Sequence, residues 1–117
     1  MFSLSNSHRY YLYQKVCDMR KGFDGLCGLV RSELGRNPTD GGVYIFINRS
    51  RNQARLLHWE RGGLVMYQKR LEKGTFSLPD PGSGKLEISW TELVLLIEGI
   101  RYSSLKKNKR FEQIKSL

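Results

Sequence analysis

His8 and His58 are the only histidines of the chain, and Cys17 and Cys27 its only cysteines. With the histidines fifty positions apart, the His-hydrophobic-His metal site that accompanies a tyrosine nucleophile is absent. A separation of ten positions between the cysteines is outside the short ligand spacings of zinc sites. All four therefore read as structural or surface residues. No G-x-x-x-x-G-K-S/T phosphate cradle and no G-x-S-x-G elbow occurs, and Gly22, Gly25 and Gly28 do not form the dinucleotide pattern. Asp18, Asp24, Asp40 and Glu60 are of the type that could hold the metal ions of a nuclease or transposase. Their spacing supports no such site, and Asp18 is better explained as a helix cap. No catalytic residue, no metal and no cofactor is expected.

The basic residues carry the positive signal. Net charge is +9, with +5 over residues 49–73 and +5 over 101–117, separated by −3 over 74–100. Arg49, Arg51 and Arg55 crowd an expected hairpin tip, and Arg61, Lys69, Arg70 and Lys73 continue along the same sheet. A β-ribbon presenting arginines can enter a groove of DNA or grip phosphates, because the guanidinium fork matches phosphate oxygens two at a time. A solvated tip that merely keeps the protein soluble is the alternative. Arg20 and Lys21 fall in the first turn of an expected helix, where the dipole disfavours cations. Either an anion binds there, meeting free backbone N–H groups and two side chains, or these cations pair with Asp18 or Asp24.

These side chains need elements to hold them. Arg9 to Tyr13 suits a strand. From Met19, apolar residues recur at Phe23, Leu26, Cys27, Val30 and Leu34, one face of a helix with Asp18 as N-cap and Gly35 as stop. Gly22, Gly25 and Gly28 inside it predict a close neighbour along that stripe, since each costs up to about 1 kcal/mol relative to Ala. Val43 to Ile47 is apolar on both faces and predicts a central strand. Strands over 55–60 and 64–69, joined by Arg61-Gly62-Gly63, predict a hairpin and with it an antiparallel meander. Residues 78–84 read as a loop, and Leu86 to Ile88 as a short strand. Ser89 to Glu92 fits a capping box opening a helix with buried Leu93, Leu96, Ile97 and Ile100. Trp59 and Trp90 read as packing residues rather than a stacking platform.

At 117 residues there is room for one domain. Leu, Ile, Val and Phe make up 27% of the chain, enough to fill a core. No apolar run approaches the roughly 20 residues needed to cross a bilayer, and Met1 to His8 lacks the basic and apolar regions of a secretory signal. A cytoplasmic protein with no membrane partner is expected. The fold class is α+β, a single domain in which an antiparallel β-meander packs with two principal helices, spanning 1–102. Residues 103–117 are expected to be a basic, mobile tail.

Several stretches together resemble a known family. Asp18-Met19-Arg20-Lys21-Gly22-Phe23-Asp24-Gly25-Leu26, Phe46-x-Asn48-Arg49, Leu56-Leu57-x-Trp59, Lys69-Arg70-Leu71-Glu72-x-Gly74-x-Phe76 and Pro79 are similar to the TnpB accessory proteins encoded by the second open reading frame of insertion sequence 66 elements. The resemblance runs from about Met1 to Ile100. It implies a bacterial mobile-element protein that assists transposition while a separate, larger product of the element supplies the transposase. The RNA-guided nuclease that shares the label TnpB is a different protein, whose length and motifs this chain lacks. Ser50 stands where the family often continues a basic run. Together with the charge pattern, the resemblance leads to a non-enzymatic accessory factor. It would bind DNA, at element ends or as non-specific duplex, through Arg49, Arg51, Arg55, Lys69 and Arg70, with Arg20 and Lys21 as an anion site. An adaptor that docks on the transposase is the alternative.

Overall fold

A computed structural model describes residues 4–78 and 86–98. Its elements are β1 (Tyr10–Leu12), α1 (Phe23–Ser32), β2 (Val43–Ile47), β3 (Gln53–Glu60), β4 (Gly63–Arg70), β5 (Glu87–Ile88) and α2 (Trp90–Glu98). The strands form one sheet in the order β4-β3-β2-β1-β5. The expected meander is β2-β3-β4, antiparallel throughout, with Ile45 opposite Leu56 and Leu56 opposite Tyr67. β1 lies parallel to β2, with Tyr10 opposite Val43, and β5 closes the far edge antiparallel to β1. Parallel neighbours need a crossover connection, and α1 supplies it.

Side chains alternate across the sheet and divide the core in two. On one face Tyr10, Leu12, Val43, Ile45 and Leu56 pack with Leu93, Leu96 and Ile97 of α2. On the other, Tyr11, Tyr13, Tyr44, Phe46 and Leu57 pack with Leu26, Cys27 and Val30 of α1. All five residues of β2 are buried because both of its faces are covered, as a run apolar on both sides requires. The result is an α+β domain with one helix on each face of the sheet.

The helix ends differ in how they are made. α2 has the expected capping box: the Ser89 Oγ accepts from the Glu92 N–H at 3.0 Å, and the Glu92 carboxylate accepts from the Ser89 N–H at 2.9 Å. α1 begins four residues later than Met19, at Phe23, and its N-cap is Gly22 with no side-chain cap. Asp18 is not the cap. Its carboxylate accepts from the Arg20 backbone N–H and holds the Arg20 guanidinium. The expected close neighbour along the glycines is also absent among the described residues: a Cβ on Gly28 would meet nothing within 4 Å, and one on Gly25 would meet only the Lys21 side chain of the preceding turn. What holds α1 is burial. Leu26 and Val30 are fully covered, each worth about 1.5–3 kcal/mol, which outweighs two internal glycines at about 1 kcal/mol each. Gly35 ends the helix as expected, at φ 62, a conformation that favours glycine.

Among the described residues no helix is long and apolar enough to cross a membrane. The expected loop beyond Leu78, the role of Ile100 and the tail at 103–117 lie outside the described residues.

Candidate nucleic-acid interface

The turn joining β2 to β3 is built on one side chain. The Asn48 Oδ1 accepts from the backbone N–H groups of Asn52 and Gln53, both at 3.0 Å, while its Nδ2 donates to the Asn52 Oδ1 at 2.8 Å. Arg51 sits at φ 55 within this turn, and its N–H donates to the Asn48 carbonyl at 3.1 Å. The chain leaving β4 then braces the turn from the other side: the Leu71 N–H donates to the Asn52 carbonyl and the fully buried Phe76 donates to the Arg51 carbonyl, both at 2.7 Å. The tip is therefore stiff. Arg49 and Arg51 project from it, exposed, and pair with no carboxylate among the described residues.

Beside the tip runs the segment that leads into α1. Cys17 donates its N–H to the Ile47 carbonyl at the end of β2, at 3.0 Å, which lays Val16 to Met19 alongside Asn48, Arg49 and Ser50. Between the two segments lies an open groove of about 510 Å³, lined also by Gln53. Arg55 locks the lead-in to the sheet: its Nη1 donates to the Lys21 carbonyl at 2.5 Å and its Nε to the Gln68 Oε1 at 2.9 Å. Burial pushes the Cys17 thiol up, against the pull of the Arg55 and Lys21 charges beside it. Cys17 is thus a buried thiol rather than an activated nucleophile.

The seven expected contact residues divide into four groups. Arg49 lines the groove, Arg51 is exposed on the same turn, and Lys21 is exposed in the lead-in to α1. Arg55 and Arg70 stand on the same face of the sheet, since Arg70 lies opposite Gln53 and Gln68 opposite Arg55; Arg55 serves also as a tie, and Arg70 makes a loose, exposed pair with Glu72 at 3.6 Å. Arg20 pairs with Asp18 at 2.7 Å, as the pairing alternative anticipates, and its hydrogen bonds hold the Asp18 carboxyl down to about 2. Lys69 belongs elsewhere. Its Nζ crosses to the α2 side and donates to the Ile97 carbonyl at 2.8 Å, so it does not continue the basic surface of Arg70.

Sequence reasoning missed Asn48 and Gln53, the residues that shape the turn and the groove. The signal was present in the two asparagines bracketing a short polar turn, since Asn side chains readily replace backbone partners in turns. It also missed that the two histidines meet. Their rings stack edge to face at 5.0 Å, and the buried His58 places its Nδ1 3.2 Å from the Gly42 carbonyl. No third ligand joins them: no group of three metal-ligating residues occurs among the described residues. At the same end of the sheet the Tyr44 hydroxyl donates to Asp40 at 2.9 Å and accepts from the Arg36 Nε at 3.2 Å. Burial pushes its pKa up to about 12, the direction opposite to that needed for an activated tyrosine nucleophile.

Comparison with known proteins gives a consistent result. A family model described as IS66 Orf2 like protein matches residues 8–107. In Sinorhizobium fredii, the protein named Uncharacterized protein y4jC is 30% identical over 107 residues, which cover 92% of each chain. A second protein of that organism, Uncharacterized protein y4hO, is 35% identical over 83 residues, covering 71% of this chain and 72% of its own. No solved structure matches the chain.

Proposed function

The chain belongs to the IS66 Orf2-like family of transposition accessory proteins, and from that premise we propose that it acts without catalysis by binding DNA through the braced β2-β3 turn and the groove beside it. The observation that carries this reading is the pair of exposed arginines, Arg49 and Arg51, which pair with no carboxylate among the described residues and stand on a turn braced from both sides. A stiff turn loses little conformational entropy when it docks, and Arg presents two donors at once to a phosphate. Lys21, Arg55 and Arg70 extend the positive surface on the α1 side of the sheet. Lys69 is not part of it.

A protein-docking role on the transposase has its own support. Val16, 52% exposed at the groove, and Phe23, 44% exposed at the start of α1, are apolar groups left facing water. Fluorescence anisotropy against element-end duplex, random duplex and single strand, at two salt concentrations, separates the two. Salt-dependent binding to duplex supports DNA contact. Indifference to every nucleic acid, with co-purification of the transposase, supports the adaptor. If four cations meet phosphates, affinity falls about 150-fold between 50 and 200 mM salt. Replacing Arg49 and Arg51 with Ala flattens the slope of log K against log salt by about 1.8.

A further inference from the structure

The outer edge of β4 is the longest open edge of the sheet, and among the described residues nothing pairs with it. Which groups it offers follows from the hydrogen bonds already made. The Leu71 N–H donates to the Asn52 carbonyl, so the odd-numbered residues of β4 bond inward to β3 and the even-numbered ones point their N–H and C=O groups outward. Leu64, Met66 and Gln68 therefore present free ladder groups to the outside. Edge strands are usually guarded by a central charge, a proline or a bulge. Gly63 to Gln68 has none of these, and its pairing with β3 is continuous from Glu60–Gly63 to Gln53–Arg70. On the α2 side of this unguarded stretch two apolar side chains lie open, Val65 at 43% and Tyr67 at 36% exposure.

We propose that β4 pairs with β4 of a second copy of this chain, antiparallel about a two-fold axis through Met66, joining two five-stranded sheets into one. The argument for a second copy is self-complementarity. An isologous strand pair must bring outward-pointing residues opposite one another, which restricts the register to those that match even with even. Centred on Met66, Leu64 of each copy meets Gln68 of the other, and all three outward residues trade their backbone hydrogen bonds. The same register sets Val65 of one copy directly opposite Tyr67 of the other, twice, covering both exposed apolar side chains with an aromatic to β-branched pair that sheets favour. Shifting the centre to Val65 or Tyr67 keeps the hydrogen bonds but faces Tyr67 with Gly63, or Val65 with Lys69. The charged residues Arg61, Lys69 and Arg70 fall at the ends of the joint rather than in it.

Two variants of the full chain test this. Gln68 is exposed and its N–H faces outward, so Gln68→Pro removes a donor that the monomer does not use, and Gln68→Ala controls for loss of the side chain that holds Arg55. Light scattering coupled to size exclusion is expected to give twice the 13.6 kDa chain mass for wild type and Gln68→Ala, and one chain mass for Gln68→Pro with its circular dichroism retained. Residues opposite in a non-hydrogen-bonded pair come close enough for a disulfide. Val65→Cys/Tyr67→Cys is therefore expected to oxidise to a dimer that survives denaturing electrophoresis without reductant, while neither single substitution does so. A wild type that stays monomeric at high concentration, a dimer that persists in a folded Gln68→Pro, or single substitutions that crosslink as well as the double would each overturn the proposal.

Discussion

Lys69 and Arg70 are neighbours in β4 whose side chains leave the sheet on opposite faces, Lys69 donating to the Ile97 carbonyl of α2 at 2.8 Å and Arg70 standing opposite Gln53 on the α1 side. One cation binds the backbone of α2 and the other faces the candidate interface. Lys69→Ala is expected to lower stability by about 1 kcal/mol, through loss of a charge-assisted bond to a backbone carbonyl of α2, and to leave the salt dependence of DNA binding unchanged. Arg70→Ala is expected to do the reverse, with little change in stability and a slope about 0.9 shallower. Urea denaturation and anisotropy titrations on the two variants measure both quantities.

That division could be read from the sequence, because adjacent strand residues must face opposite ways; a count of charges along the chain conceals it. The meander, the hairpin at Arg61 to Gly63 and the box at Ser89 to Glu92 were legible for the same reason, being set by residues a few positions apart. The parallel seating of β1 beside β2 was not. Tyr10 finds Val43 across thirty-three residues, and three aromatic and apolar residues carry no information about which strand they will join. The start of α1 was misplaced because Asp18 fits a cap by type, whereas its carboxylate is taken by Arg20. At the candidate site the arginines were visible as charges, but the grip of Arg55 on the Lys21 carbonyl depends on the fold bringing residues thirty-four apart together.

Asn48 is where stiffness of the interface is set. Asn48→Ala removes three hydrogen bonds that organise the turn, at a cost of about 1–3 kcal/mol, a range below simple additivity because Asn52 and Gln53 can turn to water. Arg49 and Arg51 remain, so the salt slope is expected to persist while affinity falls. Amide hydrogen exchange is expected to accelerate at Asn52 and Gln53 first. An unchanged affinity would mean that the arginines act as tethered charges and need no fixed turn.

Tyr44 carries the pH dependence at the opposite end of the sheet. Its pKa is raised to about 12 by burial, opposed by the Arg36 contact and reinforced by Asp40. A phenol whose folded value lies above its ordinary value near 10 favours the protonated, folded form. Its contribution is complete below pH 10 and is lost as pH climbs through about 12. Burial also raises Tyr10 and Tyr13, so ultraviolet titration is expected to show a late-ionising fraction that Tyr44→Phe reduces without abolishing. The substitution leaves Asp40 bound to Arg36 and to the Gly42 N–H, so the loss of stability is expected to stay near 1 kcal/mol.

Asp18, which lines the groove, restrains Arg20. Both its oxygens hold the Arg20 guanidinium, at 3.1 Å from Nε and 2.7 Å from Nη2, and its carboxyl is held down to about 2, chiefly by the Arg20 hydrogen bonds. A depressed carboxyl contributes whatever it contributes above its unfolded value near 3.9 and loses it as pH falls toward 2. At neutral pH the pair is therefore fully formed, and Arg20 is partly neutralised. Asp18→Asn keeps an oxygen for the Arg20 backbone N–H, now 2.9 Å from Oδ1, so the turn before α1 is expected to keep its shape. It removes a negative charge beside the groove and frees the guanidinium. If DNA lies along that groove, affinity is expected to rise and the salt slope to steepen by about 0.9, one added phosphate contact. Combining Asp18→Asn with Arg20→Ala is expected to cancel the steeper slope. If Asp18→Asn binds with the wild-type slope while Arg49→Ala still flattens it, DNA follows the tip alone and the lead-in to α1 is not part of the contact.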